Sequence, residues 1–206
     1  MYIPPKYKNE DLVEVKDFLR SNSFAILINT LKGRPWATHT PLELDRDKDG
    51  NDILIGHIAR ANPQWGAFEA NSEVLCIFNG PHSYVSSSWY KEEEVPTWNY
   101  IAVHIYGTLS VMSESEVLTW LHGLVDRYEK DEETPLSLKD MSPATLRQVK
   151  GVVGFRIKIN KIEAAYKLSQ GREEDHERII HELKKKRDPG SQQVSNIMKN
   201  RGNKES

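Results

Sequence analysis

Apolar residues fall at helical spacing in "NEDLVEVKDFLRSN", where Leu12, Val15, Phe18 and Leu19 share a face and Asn9 stands as the N-cap. The period then shortens. "SFAILINT" and "WATHTPLELD" read as two strands of a hairpin around the turn "LKGRP". After the charged turn "DRDKDGND", the run "DILIGHIA" is a third strand. Asn62 then caps a helix over "PQWGAFEAN", with Pro63 at its first position. "EVLCIFNGPHSYVSSSWY" is a long fourth strand, interrupted at "NGP". In "TWNYIAVHIYGTLSVM", Ile101, Val103 and Ile105 alternate with Tyr100, Ala102, His104 and Tyr106, the two-residue period of a strand. Ser113 and Glu116 make a capping box ahead of the helix "EVLTWLHGLVDRYEK". Ser142 and Pro143 open a short helix that ends before Gly151, and "GVVGFRIKINKIEAAYKL" alternates again as the sixth strand region. The helix "REEDHERIIHELKKK", stopped at Asp188-Pro189-Gly190, and the helix "SQQVSNIMKN" close the pattern.

Strands joined mostly by short connections, without regular strand–helix alternation, exclude a parallel doubly wound sheet. The pattern predicts a mainly β chain: a six-stranded antiparallel barrel with peripheral helices and helices at its C-terminus. The 206 residues, 38% of them hydrophobic, suit one core. A net charge of −2 excludes a nucleic-acid surface spread over the whole domain. Basic residues gather late, where Lys184, Lys185, Lys186, Arg187, Lys199, Arg201 and Lys204 stand against Asp188 and Glu205. The lone Cys76 lies in the apolar run "EVLCIF" and reads as a small buried hydrophobe. The N-terminus lacks the apolar core of a secretion signal, and no stretch approaches the length needed to span a bilayer. A cytoplasmic protein without a membrane segment is expected.

The chemistry is diffuse. Nucleophile elbow, Walker loop, dinucleotide fingerprint and zinc spacing are all missing from the sequence. The seven histidines show no compact metal-ligand spacing, and no residue stands out as a catalytic acid or base. "DRDKDGND" faintly resembles a calcium loop, but Gly56 takes the place of its last glutamate. Four strand-end motifs say more. "ATHTP" offers Thr38, His39 and Thr40. "GHIARANP" sets His57 and Arg60 ahead of the helix capped by Asn62. "YVSSSWY" adds Ser86, Ser87, Trp89 and Tyr90, and "YKLSQ" adds Lys167, Ser169 and Gln170. Arginine beside a helix start favours phosphate, and aromatic rings cover flat ligands. Taken together, the motifs describe a site for an anionic, aromatic ligand. Taken singly, each is equally an ordinary loop, a surface charge or a core aromatic.

"GHIARANPQW", "FNGPHSYVSSSWY", "VPTWNYIAVHIYG", "KLSQ" and the N-terminal "MYIPPKY" resemble the motifs of the PaiB family of FMN-binding negative transcriptional regulators. The resemblance runs over nearly the whole chain. It implies the FMN-binding split barrel, with residues 1–170 as the barrel domain and 171–206 as a helical tail. It also implies a homodimer with FMN at the interface, gripped by the motif residues named above, and repression of genes for degradative enzymes and sporulation. DNA would meet the basic C-terminal segment. The alternative is a flavin-dependent oxidoreductase acting on a small molecule or nicotinamide. Gly171 departs from the asparagine common in the family after "SQ".

Overall fold

The computed structural model describes residues 1–68 and 73–202. It contains six strands, β1 (Phe24–Leu31), β2 (Arg34–Arg46), β3 (Asp52–Ala59), β4 (Glu73–Val85), β5 (Thr97–Val111) and β6 (Val152–Lys167). They hydrogen-bond in the closed order β1–β2–β3–β6–β5–β4, the antiparallel barrel that the alternating pattern predicts. The helices are α1 (Leu12–Ser21), α2 (Glu114–Glu129), α3 (Pro143–Leu146), α4 (His176–Lys185) and α5 (Pro189–Gly202). Contacts divide the chain into two compact units, Ser23–Ile77 with Ile105–Lys161, and Met1–Asn22 with Phe78–His104 and the chain from Ile162 onward.

In the first of these units β1 and β2 form the expected hairpin. Its turn is Lys32-Gly33, both at positive φ, which matches the right-handed twist of the strands. β3 is apolar on both faces because it is covered twice. Leu54 is fully buried in the sheet's interior layer, while Ile53 and Ile55 join Val117, Leu121 and Leu124 of α2 in a second core. α2 starts on the expected capping box, with both reciprocal bonds of Ser113 and Glu116 in place. Arg127 and the Tyr128 hydroxyl donate to the buried Glu43 at 2.9 and 2.6 Å, tying α2 to β2.

In the other unit α1 buries Val15 and Leu19, and α4 and α5 bury Ile179, Leu183, Val194 and Met198. Four expectations need correction. The N-cap of α1 is Asp11, whose carboxylate accepts from the N–H groups of Val13 and Glu14. Asn9 sits two residues outside, accepting from the Asp11 N–H at 3.0 Å. β4 is not interrupted at "NGP": Gly80 lies within the strand because a Cβ there would stand 2.7 Å from Phe18 and 3.0 Å from Ile101. Asp188-Pro189-Gly190 does not merely stop α4; Asp188 accepts the Ser191 N–H at 2.8 Å and Pro189 opens α5. Finally, the segment after Asn62 is a five-residue 3-10 turn, Pro63–Ala67, rather than an α-helix. Residues 69–71, expected to extend it, lie outside the described residues.

Candidate functional site

The residues singled out from the sequence fall into two groups, one in each unit. In the unit built on β1–β3, Thr38, Asn62 and Gln64 bind one another. Asn62 donates to the Thr38 hydroxyl at 2.8 Å and accepts the Gln64 N–H at 3.0 Å, while Thr38 donates to the Gln64 side chain. Gln64 is fully buried and donates onward to the Leu27 carbonyl at 3.2 Å and to Asn29 at 3.0 Å. This explains the short turn: Pro63 and the Asn62 cap start a helix, and the inward pull on Gln64 turns it into the sheet. Thr40 donates to the His57 carbonyl at 2.6 Å. His39 is exposed and stacks on Phe24, with ring centroids 6.2 Å apart.

His57 and Arg60 differ from the arrangement expected of them. The His57 ring packs edge-on to Trp120 at 5.6 Å, and burial pushes its pKa down, favouring the uncharged imidazole. Arg60 turns two donors to main-chain carbonyls, Nε to Lys150 at 2.9 Å and Nη2 to Val152 at 3.2 Å, and its own carbonyl accepts from Trp65 at 2.7 Å. A single 3-10 turn also lacks the aligned peptides that give a longer helix its N-terminal field. Here arginine fastens the strand end to the start of β6, and the turn that follows it is 3-10 rather than the expected α-helix.

In the other unit four of the expected residues do converge. Tyr90, Lys167, Ser169 and Gln170 line a cavity of about 160 Å³ together with Lys6, Tyr7, Thr97 and Arg172, beside Glu94 and Val95. The end of β6 brings Lys167 to the start of β5, where its ammonium donates to Thr97 and lies 5.6 Å from the Tyr7 ring centroid. The chain then reverses sharply. Ser169 and Gly171 both adopt positive φ, 62° and 78°. Glycine and asparagine are the residues that enter this region most easily, which accounts for the exchange of one for the other after "SQ". The strained Ser169 is held by Asn99, which donates to its hydroxyl at 2.9 Å. Gln170 folds back to accept the Leu168 N–H at 2.8 Å and to donate to the Tyr166 carbonyl. Arg172 pairs with Glu94 and sits 5.7 Å from the Tyr90 ring centroid. Burial pushes the Tyr90 phenol up, against the pull of Arg172, so it stays a hydrogen-bond donor at neutral pH.

The rest of "SSWY" is used locally. Ser86 caps the 3-10 turn Ser87–Trp89, and Lys186 covers Trp89 at 5.0 Å from its ring centroid. Sequence reasoning missed Lys6, Tyr7, Thr97, Arg172 and Gln64. Lys6 and Tyr7 lie in the N-terminal motif that carries the family resemblance, Gln64 and Thr97 lie in two of its other motifs, and Arg172 lies in none of them. Among the described residues no group of His, Cys, Asp and Glu is spaced to hold a metal, and no helix is long and apolar enough to cross a membrane.

The geometry fits an anionic ligand with an aromatic part: cations and tyrosine faces surround a small polar pocket. A family model described as "Putative FMN-binding domain" matches residues 1–161. The chain is 43% identical over 203 residues to the Bacillus subtilis protease synthase and sporulation protein PAI 2, covering 98% of each. Among solved structures, the flavocytochrome Anf3 of Azotobacter vinelandii superposes with a TM-score of 0.61 at 17% identity, over 83% of this chain and 75% of that one. The FAD and heme binding protein of Mycobacterium smegmatis gives 0.59 at 14% identity, over 78% and 73%. These two likenesses establish a shared fold. The family model and the Bacillus relative establish more: this chain belongs to the FMN-binding domain family of which PaiB-type proteins are members.

Proposed function

We propose that this protein is an FMN-binding transcriptional regulator that works as a homodimer, with Tyr90, Lys167, Ser169 and Gln170 among its flavin contacts. The observation that carries the reading is the convergence of these residues on one cavity with Lys6, Arg172 and Tyr7. Lys6, Lys167 and Arg172 suit a phosphate, and the tyrosine faces suit a planar or sugar-bearing part of the ligand. At about 160 Å³ the cavity takes one end of a flavin, and the remainder lies beyond it. Bound flavin would supply redox capacity, while the protein's residues bind and orient it. The regulatory role is supported by 43% identity along 98% of a protease synthase and sporulation protein.

The exposed basic residues Lys184, Lys185, Arg187 and Lys199 on and after α4 and α5 are the proposed DNA contacts. Lys186 and Arg201 are not, since Lys186 donates to the Tyr84 carbonyl at 2.8 Å and Arg201 pairs with Glu14. Titration of the purified protein with FMN, followed by flavin absorbance and fluorescence, tests the first claim. Replacing Lys167 by Met removes a charged hydrogen-bond donor, and affinity should fall by about 1.5–3 kcal/mol. Unchanged FMN affinity in Lys167→Met would remove this cavity from the flavin site. For DNA, a gel shift at fixed salt compares the wild type with the double variant Lys184→Glu, Lys185→Glu. Equal binding by the two would discard the basic segment as the DNA contact.

A further inference from the structure

A second and larger cavity, of about 520 Å³, lies wholly within the unit built on β1–β3. It opens between the end of β5, the first turns of α2 and the segment running from α3 into β6. Val111, Val117, Leu118, Leu146, Val149 and Val153 give it apolar walls. Ser113 and Ser115 add hydroxyls, and its charges are unequal in sign. Arg60 and Lys150 bring positive charge, against the carboxylate of Glu114. Arg60 is held in place by the Lys150 and Val152 carbonyls, which leave the rest of its five-donor fork unassigned. His122 also lines the cavity, and its Nδ1 is buried with no hydrogen-bond partner among the described residues. A buried, unpaired ring nitrogen beside an apolar space is a polar group awaiting a partner.

We propose that this cavity binds a small monocarboxylate with an apolar body. Its volume falls in the range of small-molecule sites, which are mostly apolar with a few convergent polar groups. A fixed guanidinium matches a carboxylate in a two-bond geometry, and the apolar walls take up the chain or ring behind it. The site shares no residue with the cavity of Tyr90 and Lys167, and of the residues that the family resemblance assigns to flavin it contains Arg60 alone.

Decanoate and decanol, which differ in the charged head, are the probes. Isothermal titration of the full chain should show saturable one-to-one binding of decanoate, with decanol at least tenfold weaker. Leu118, which is 39% exposed at the cavity rim, can be replaced by Trp without forcing a core. Leu118→Trp should weaken decanoate at least tenfold and leave FMN uptake unchanged. Leu146→Phe provides a second, milder filling, and thermal melts confirm that both variants fold. Equal binding of decanoate and decanol would overturn the carboxylate assignment. Failure of both probes to bind, or undiminished binding in both filled variants, would overturn the site. Loss of FMN uptake in Lys167→Met with decanoate binding intact separates this site from the flavin reading.

Discussion

At the scale of single residues, Glu116 does the work of three contacts. Its carboxylate accepts the Ser113 N–H at 2.9 Å, the Ser113 hydroxyl at 2.8 Å and Arg156 at 2.8 Å. The Ser113 backbone bond, followed by Arg156, lowers its pKa from 4.5 to about 2. A carboxylate depressed in the folded state contributes stability above its unfolded pKa and loses it as pH falls through the folded value. Wild type should therefore exceed Glu116→Gln in urea stability at pH 7. The gap should close as pH drops from about 4.5 toward about 2. A gap that stays constant through that window would mean the cap does not titrate with folding. Arg60 and Gln64 make a related point. Both carry the functional groups of a binding site, and both use them to fasten the end of β3: Arg60 through two carbonyls, Gln64 through Leu27, Asn29 and Thr38.

At the scale of elements, the places where strands pass closely are read off their glycines. A Cβ on Gly107 of β5 would fall 2.4 Å from the Ile157 methyl and 2.5 Å from the Lys158 carbonyl of β6. Gly107→Ala should therefore destabilise the protein by about 1–3 kcal/mol, the usual cost of overpacking. Gly123, midway along α2 and exposed, has nothing within 4 Å of its virtual Cβ. Gly123→Ala should stabilise by about 0.5–1 kcal/mol through helix propensity. Chemical denaturation of the pair gives opposite signs, and equal signs would contradict the packing described for β5 and β6. The same glycines show where sequence reading succeeds and where it fails. Alternation in β5 is legible because that strand has one face buried and one partly open, as the burial of Ile101, Val103 and Ile105 shows, whereas β6 buries Val153 to Phe155 and Ala164 to Tyr166 in unbroken runs. Gly80-Pro81 looks like a break but is a close approach to Phe18, a fact fixed by a residue sixty-odd positions away. Asn9 and Asp11 are both good caps, and local pattern cannot choose between them. The Asn62 turn carries local start signals, but the burial of Gln64 and its bonds to Leu27 and Asn29 are tertiary and leave no local mark. The candidate site divides in the same way. "KLSQ" places Lys167, Ser169 and Gln170 at the cavity and "SSWY" places Tyr90, whereas nothing in the local pattern singles out Lys6, Thr97 or Arg172 as its lining.

At the scale of the whole molecule, the C-terminal helices are part of the fold and not an attached arm. Val194 and Ser195 are fully buried, Met198 is nearly so, and the Arg201 guanidinium pairs with Glu14 and lies 4.8 Å from the Tyr166 ring centroid. Deleting α5 would uncover these seats and test stability rather than DNA binding, so charge reversal at exposed lysines is the cleaner probe of regulation. The surface that asks for a partner lies elsewhere. Trp98 is 54% exposed and Val95 71% exposed, and Tyr84 and His82 lean on Trp98 with ring centroids 6.0 Å away. Clustered aromatics left open to water suit the homodimer contact proposed above, since isolated apolar residues scattered over a surface would need no such explanation. A second copy of the chain is the proposed occupant, in keeping with the homodimer that the family resemblance implies. Sedimentation velocity at micromolar concentration should show a dimer for the wild type. Trp98→Asp places a charge in the middle of the patch and should shift the species to monomer, with its folding verified by circular dichroism. A monomeric wild type, or a Trp98→Asp variant that dimerises as tightly as the wild type, would move the interface away from this patch.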